Sequence, residues 1–127
     1  MALGSRGSIL IIEDDDSLQL LFGKVLIQSG FHVATTSNAR DARPLFKQQT
    51  FDALVCDLSA GGGRKIFDFV SFARQHQPDL AVLIITGYTP EDVACEARAL
   101  GLDVMEKPFS PAQLVERIAL MLARKVA

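Results

Sequence analysis

Four acids in succession, Glu13-Asp14-Asp15-Asp16, follow the apolar run Ile9-Leu10-Ile11-Ile12, and a further acid, Asp57, closes a second apolar run, Ala53-Leu54-Val55-Cys56. Thr86 follows a third run that begins at Ala81, and Lys107 follows the short stretch Val104-Met105-Glu106. These residue types make a chemical set. Carboxylates hold a hard divalent cation through oxygen, and a central carboxylate can act as a nucleophile. A hydroxyl donates to a transferred phosphoryl oxygen, and an ammonium neutralises its charge. Every part suits phosphoryl transfer to aspartate. The acids also carry a cost. If the first two runs are adjacent parallel strands, their ends lie roughly 5 Å apart. Two unit charges about 4 Å apart repel by roughly 4 kcal/mol at an effective dielectric near 20. A bound cation would remove that cost.

Taken one at a time, the same residues have plainer roles. An aspartate after a strand serves most often in a turn or cap. The acidic run also reads as a turn before a helix, with Asp16 or Ser17 as the cap. Thr86 alone reads as a strand-end hydroxyl bonded to backbone, and Lys107 alone as a surface lysine. Their joint placement favours the chemical reading.

Such a set needs strands that end together. Short apolar runs alternate with amphipathic stretches of about a dozen residues, the pattern of βα units around a parallel sheet. Five cycles are present. The first strand is Ile9 to Ile12, and Leu18, Leu21, Phe22, Val25 and Leu26 then recur at helical spacing until Ser29-Gly30, where glycine can cap the helix. A half-buried second strand, Phe31 to Thr35, precedes a helix capped by Ser37 or Asn38 that carries Ala42, Leu45 and Phe46. The third strand, Ala53 to Cys56, is continuously apolar and therefore central. Gly61-Gly62-Gly63 makes the next loop mobile, and Ile66, Phe67, Phe69, Val70 and Ala73 form the core stripe of a third helix. A fourth strand spans Ala81 to Ile85. Thr89-Pro90-Glu91-Asp92 opens a fourth helix with a capping hydroxyl, a first-turn proline and acids at the positive end, running to about Leu100-Gly101. A short fifth strand lies around Val104-Met105. Ser110 and Gln113 form a capping box around Pro111, opening a last helix with Leu114, Ile118 and Leu122 on one face.

The 127 residues, 49% hydrophobic and 22% charged, read as one domain with its own core. The net charge of -2 gives no general attraction to nucleic acid or anionic membrane. Cys56 and Cys95 form no CxxC pair and lie in apolar stretches, so both read as reduced, buried thiols. No apolar stretch reaches about 18 residues, which excludes a spanning helix and points to the cytoplasm. Residues 1–7 read as a flexible leader or expression remnant, and residues 8–127 as the folded domain. His32 and His76 match no metal-ligand spacing. Gly61-Gly62-Gly63-Arg64-Lys65 lacks the GxxxxGK[ST] spacing of a nucleotide phosphate loop.

With these motifs in place, the sequence resembles the receiver domains of two-component response regulators over essentially all of Ser8 to Lys125. The resemblance is carried by Glu13-Asp14 after strand one, Asp57 after strand three, Thr86 after strand four and Lys107-Pro108-Phe109 after strand five. It implies a flavodoxin-like α/β fold: a doubly wound, five-stranded parallel sheet in order 2-1-3-4-5 with five helices on both faces. It also implies Mg²⁺ held by Asp14, Asp57 and the backbone carbonyl of Ser59, with Glu13 acting mostly through water. Lys107 would pair with the acceptor site, before a cis Lys107–Pro108 bond.

The implied function is phosphorelay signalling. Asp57 would accept a phosphoryl group from a histidine kinase or histidine phosphotransfer protein, with Lys107 and Thr86 stabilising the product. The domain would assist its own phosphotransfer and dephosphorylation without being an enzyme in the ordinary sense. Its downstream partner would be a protein, a phosphorylation-dependent dimer is allowed, and neither direct nucleic-acid contact nor membrane insertion is implied.

The chain departs from the family pattern at three places. Gly61 and Lys65 stand where a proline and a glycine are usual in the loop after Asp57, and Val104 replaces an aromatic residue on strand five. Tyr88 nearby reads as an exposed loop tyrosine. The main alternative is a receiver-like module of a larger hybrid kinase that is never phosphorylated, against which the intact set of Glu13, Asp14, Asp57, Thr86 and Lys107 argues. A haloacid-dehalogenase-like phosphatase fits poorly, because Asp14-Asp15-Asp16-Ser17-Leu18 matches only part of DxDx[TV]. A flavin carrier would need a hydroxyl-rich phosphate loop where these acids stand.

Overall fold

The structure is a computed structural model that describes residues 6–125. Among the described residues the chain alternates β1 (Ser8–Ile12), α1 (Asp16–Gln28), β2 (His32–Thr36), α2 (Ala39–Gln48), β3 (Ala53–Asp57), α3 (Ile66–His76), β4 (Ala81–Thr86), α4 (Glu91–Ala99), β5 (Asp103–Glu106) and α5 (Pro111–Lys125). The strands form one parallel sheet in the order β2-β1-β3-β4-β5. This is the expected flavodoxin-like arrangement.

Strand periodicity divides the core between two faces. Leu10, Ile12, Leu54, Cys56, Val82 and Ile84 join Phe46, Phe69, Val70 and Val93 from α2, α3 and α4. The alternate residues Ile9, Ile11, Ala53, Val55, Leu83 and Ile85 join Phe22 and Leu26 of α1 and Leu114, Ile118 and Met121 of α5. Every residue of β3 is buried, whereas the edge strand β2 is only half-buried. Covering a parallel sheet on both faces requires this contrast.

Register brings the polar strand ends together. Ile12 pairs with Cys56, so Glu13 follows β1 level with Asp57. Asp57 pairs with Ile85, and Thr86 pairs with Glu106, so Lys107 follows one step beyond. The Lys107–Pro108 peptide is cis, as the resemblance implied.

Several helix ends follow the expected chemistry. Gly30 adopts φ +99°, and the amides of Gly30 and Phe31 bond back to Ile27 and Leu26, closing α1. Ser110 and Gln113 exchange their capping bonds at 2.7 and 3.1 Å. Two caps differ from expectation. Asp15, rather than Asp16 or Ser17, caps α1, its Oδ1 accepting the Leu18 amide at 3.0 Å. At α4 the cap position falls on Pro90, whose ψ of 149° is extended rather than helical, so the helix begins at Glu91 and leaves Thr89 one residue outside it, its amide donating to Glu106 at 3.1 Å.

Cys95 is a further correction. Val93 and Ala97 form the buried face of α4, and Cys95, midway between them, points outward. Cys56 is buried as expected, and both thiols are free. Of the expected leader, residues 1–5 lie outside the described residues. Arg6 and Gly7 bond to the α1–β2 corner, through Arg6 N–H to Gly30 O and His32 N–H to Gly7 O, each at 2.9 Å.

Candidate functional site

Asp57 is the last residue of β3 and is 5% exposed. A carboxylate so enclosed must be satisfied by donors, and both its oxygens are. Oδ2 accepts from Lys107 Nζ at 2.8 Å. Oδ1 accepts from the Ser59 amide at 3.0 Å, the Ser59 hydroxyl at 2.6 Å and the Ala60 amide at 3.3 Å. Burial pushes this carboxyl up, but the Lys107 bond, followed by those from Ser59 and Ala60, outweighs burial and holds it below the usual carboxylate range. The effect on Lys107 is reciprocal. Burial pulls its ammonium down, while the bond to Asp57 and the charges of Asp57, Glu13 and Asp15 hold it above the usual lysine range.

Glu13 behaves differently. It is 2% exposed, and burial pushes its carboxyl above the usual range, partly offset by the Asp15 amide on Oε2 at 3.1 Å and reinforced by the charge of Asp57. Its other oxygen, Oε1, is buried without a partner. A buried anionic oxygen left open is costly, and a cation beside it would satisfy it. Carboxylate oxygens of Glu13, Asp14 and Asp57 lie within 4.8 Å of one another, an all-oxygen donor set that can hold a metal ion and suits a hard one.

Thr86, 8% exposed at the end of β4, stands on the strand beside Asp57. Its hydroxyl is engaged by the backbone of Tyr88 rather than by Asp57. The Ser59 carbonyl accepts the Gly62 amide at 3.1 Å in the loop below the acceptor. That loop is internally bonded, with the Gly61 amide on Asp57 O at 3.0 Å and the Gly63 amide on Leu58 O at 2.8 Å. A proline at position 61 could not make the first bond. Gly62 and Gly63 take φ +92° and +63°, which explains a run of glycines here. Tyr88 is 73% exposed, as expected for a loop tyrosine, and Val104 is half-buried against the α2–α4 core.

Two contributors to this geometry had no signal in the sequence. One is the Ser59 side chain, since a serine two residues after an aspartate is ordinary turn composition. The other is Gln19 of α1, whose Nε2 donates to Glu13 O at 2.9 Å and Thr36 O at 3.1 Å.

Residues 9–119 match the family described as the response regulator receiver domain. The chain belongs to that family. This receiver is 34% identical over 110 residues to the alginate biosynthesis transcriptional regulatory protein AlgB of Pseudomonas aeruginosa, covering 86% of the receiver and 24% of AlgB. It is 29% identical to the response regulator protein PilR of the same organism, covering 91% of the receiver and 26% of PilR. The receiver thus spans about a quarter of the length of these curated relatives. Among solved structures, full-length FixJ from B. japonicum superposes with a TM-score of 0.82 at 25% identity, covering 95% of the receiver and 60% of that chain. A receiver domain protein from Methanospirillum hungatei superposes with a TM-score of 0.84 at 21% identity, covering 94% and 95%, a likeness of fold. The receiver is therefore a signalling domain of the two-component type. Among its described residues no helix is long and apolar enough to cross a membrane.

Proposed function

We propose that this receiver accepts a phosphoryl group on Asp57 from a phosphohistidine on a histidine kinase or histidine phosphotransfer protein. The observation that carries the reading is the state of Asp57: buried, held ionised by Lys107, and faced by the acids Glu13 and Asp14. In the transfer, an Asp57 carboxylate oxygen forms a bond to phosphorus as the phosphorus–nitrogen bond breaks. The imidazole departs with that electron pair and takes a proton, leaving an acyl phosphate. Mg²⁺, held by Asp14, Asp57 and the Ser59 carbonyl with Glu13 beside it, would supply positive charge opposite the phosphoryl oxygens. Lys107 leaves its bond to Asp57 for the new phosphoryl oxygens, and Thr86 donates its hydroxyl to another. Hydrolysis of the acyl phosphate resets the domain.

The approach of a protein donor is supported by an apolar recess of about 250 Å³ beside the site, lined by Leu18, Leu21 and Phe22 of α1 and by Pro108, Phe109 and Pro111. Rearrangement around Thr86 would then alter the surface read by a downstream protein or by a second copy of the domain. We place this activity in the cytoplasm, with no direct contact to nucleic acid.

The test is transfer from a phosphohistidine protein carrying labelled phosphate. Label should move to the receiver only with Mg²⁺ present, and hydroxylamine should release it. Label stable to hydroxylamine, or transferred equally to Asp57→Asn, would contradict the proposal.

A further inference from the structure

Asp57 is fixed by the sheet, but Glu13 and Asp14, the other acids that would hold the metal, lie on the loop after β1, so something must fix that loop. Its entry is fixed by the Glu13 amide, which donates to Thr36 O at the end of β2 at 3.0 Å. Its exit is fixed by Asp15, which caps α1 through the Leu18 amide. Between these points stands the peptide joining Glu13 to Asp14. Its carbonyl accepts one side-chain donor, Gln19 Nε2 at 2.9 Å, which also reaches Thr36 O at 3.1 Å. The backbone amide of Gln19 donates to Asp15 O at 2.9 Å one helical turn back, so its side chain, carried on α1, ties the acid loop to both α1 and β2.

A peptide is planar, so holding the Glu13 carbonyl also orients the plane from which the Asp14 Cα hangs. Glu13 is anchored independently, through burial and the Asp15 amide, but Asp14 is exposed. The direction of the Asp14 carboxylate toward Asp57 thus depends on the orientation of this peptide. We propose that Gln19 is a positioning residue for the cation site, setting Asp14 against Glu13 and Asp57. The proposal rests on the metal reading given above. Gln19 touches neither the cation nor the phosphoryl group.

The choice of ion gives this role a signature. Mg²⁺ demands near-octahedral geometry and gives up its waters reluctantly, whereas Ca²⁺ accepts irregular oxygen sets. A misdirected Asp14 therefore costs Mg²⁺ more than Ca²⁺. A general loosening of the fold would weaken both ions alike.

The test titrates Mg²⁺ alone, and separately Ca²⁺ alone, into the wild-type chain, Gln19→Met and Gln19→Asn. The amide signals of Asp14 and Asp57 report binding by NMR, and metal-free thermal melts are recorded in parallel. Methionine keeps the length of the side chain without its donor, and asparagine keeps the donor one methylene short. Both should bind Mg²⁺ about tenfold more weakly than wild type, the lower end of what losing an outer-sphere partner costs. Both should lose less affinity for Ca²⁺. Mg²⁺ binding within about twofold of wild type overturns the proposal and leaves the metal site standing. Equal losses for the two ions with a lowered Tm mark a structural role and also overturn it. A wild-type chain that binds no Mg²⁺ overturns the metal reading and this proposal together.

Discussion

The hydroxyl of Thr86 donates to the carbonyl of Tyr88 at 2.7 Å and accepts from the Tyr88 amide at 3.2 Å. The strand-end hydroxyl is thus committed to the β4–α4 loop. Turning it toward a phosphoryl group on Asp57 requires both bonds to be given up, and their loss frees the backbone of the chain's one tyrosine. With Val104 in the place of an aromatic on β5, this release is the local change through which phosphorylation reaches the surface in our reading.

Thr86→Val should therefore leave phosphoryl acceptance at Asp57 in place while removing its consequence. In the wild type, phosphorylation should shift the Tyr88 amide signal in an NMR spectrum. In Thr86→Val the shift should largely disappear. An unchanged Tyr88 signal in the phosphorylated wild type would show that Thr86 does not act through this loop.

The two buried acids should affect metal-free stability in opposite directions. Asp57 is held below its ordinary value of 3.8, so its ionised form stabilises the fold at neutral pH, and that contribution is lost as pH falls from 3.8 through the folded value. Glu13 is held above its ordinary 4.5, so its ionised form costs stability at neutral pH, and the cost fades as pH falls through the folded value toward 4.5. Near neutral pH, Asp57→Asn should lower Tm and Glu13→Gln should raise it, each by on the order of 1 kcal/mol, or a few degrees. Thermal melts from neutral to acid pH would show both effects shrinking as the acids protonate.

The loop below Asp57 predicts that restoring the family's proline here is harmful. A Cβ on Gly61 would lie 2.6 Å from Ile66 Cδ1 and 2.8 Å from Cys56 Sγ. Gly61→Ala should cost about 1–3 kcal/mol through overpacking. Gly61→Pro should cost about 1 kcal/mol more by removing the donor to the Asp57 carbonyl. Gly87→Ala meets nothing within 4 Å and should change stability by less than about 0.5 kcal/mol. Denaturant melts of the three variants test this order.

The legible parts of this molecule were those written as local pattern. The continuous apolar runs of β3 and β4, the glycine after α1 and the Ser110–Gln113 box each announce themselves within a few residues, because period and capping are local physics. Asp15 does not stand out as a cap because Asp14, Asp15, Asp16 and Ser17 are all good capping residues, and helix phase alone chooses among them. The exposure of Cys95 is hidden in the sequence because Val93-Ala94-Cys95 is apolar in composition, while exposure depends on rotation about the α4 axis. The chemical set at Glu13, Asp14, Asp57, Thr86 and Lys107 could be seen as strand ends, and parallel register then brings strand ends together. The Ser59 hydroxyl on Asp57 and the Gln19 amide on Glu13 arise from loop conformation, which residue type and spacing do not encode.

The central claim is that Asp57 is a phosphoacceptor that works with a divalent cation. It is tested most directly by intact-mass measurement after incubation with acetyl phosphate, with and without Mg²⁺, on the wild type and on Asp57→Asn. One added phosphoryl group on the wild type in the presence of Mg²⁺, and none without the metal or on Asp57→Asn, is the predicted result. A wild type that binds Mg²⁺ yet gains no mass, or an Asp57→Asn variant that gains the same mass, would contradict it.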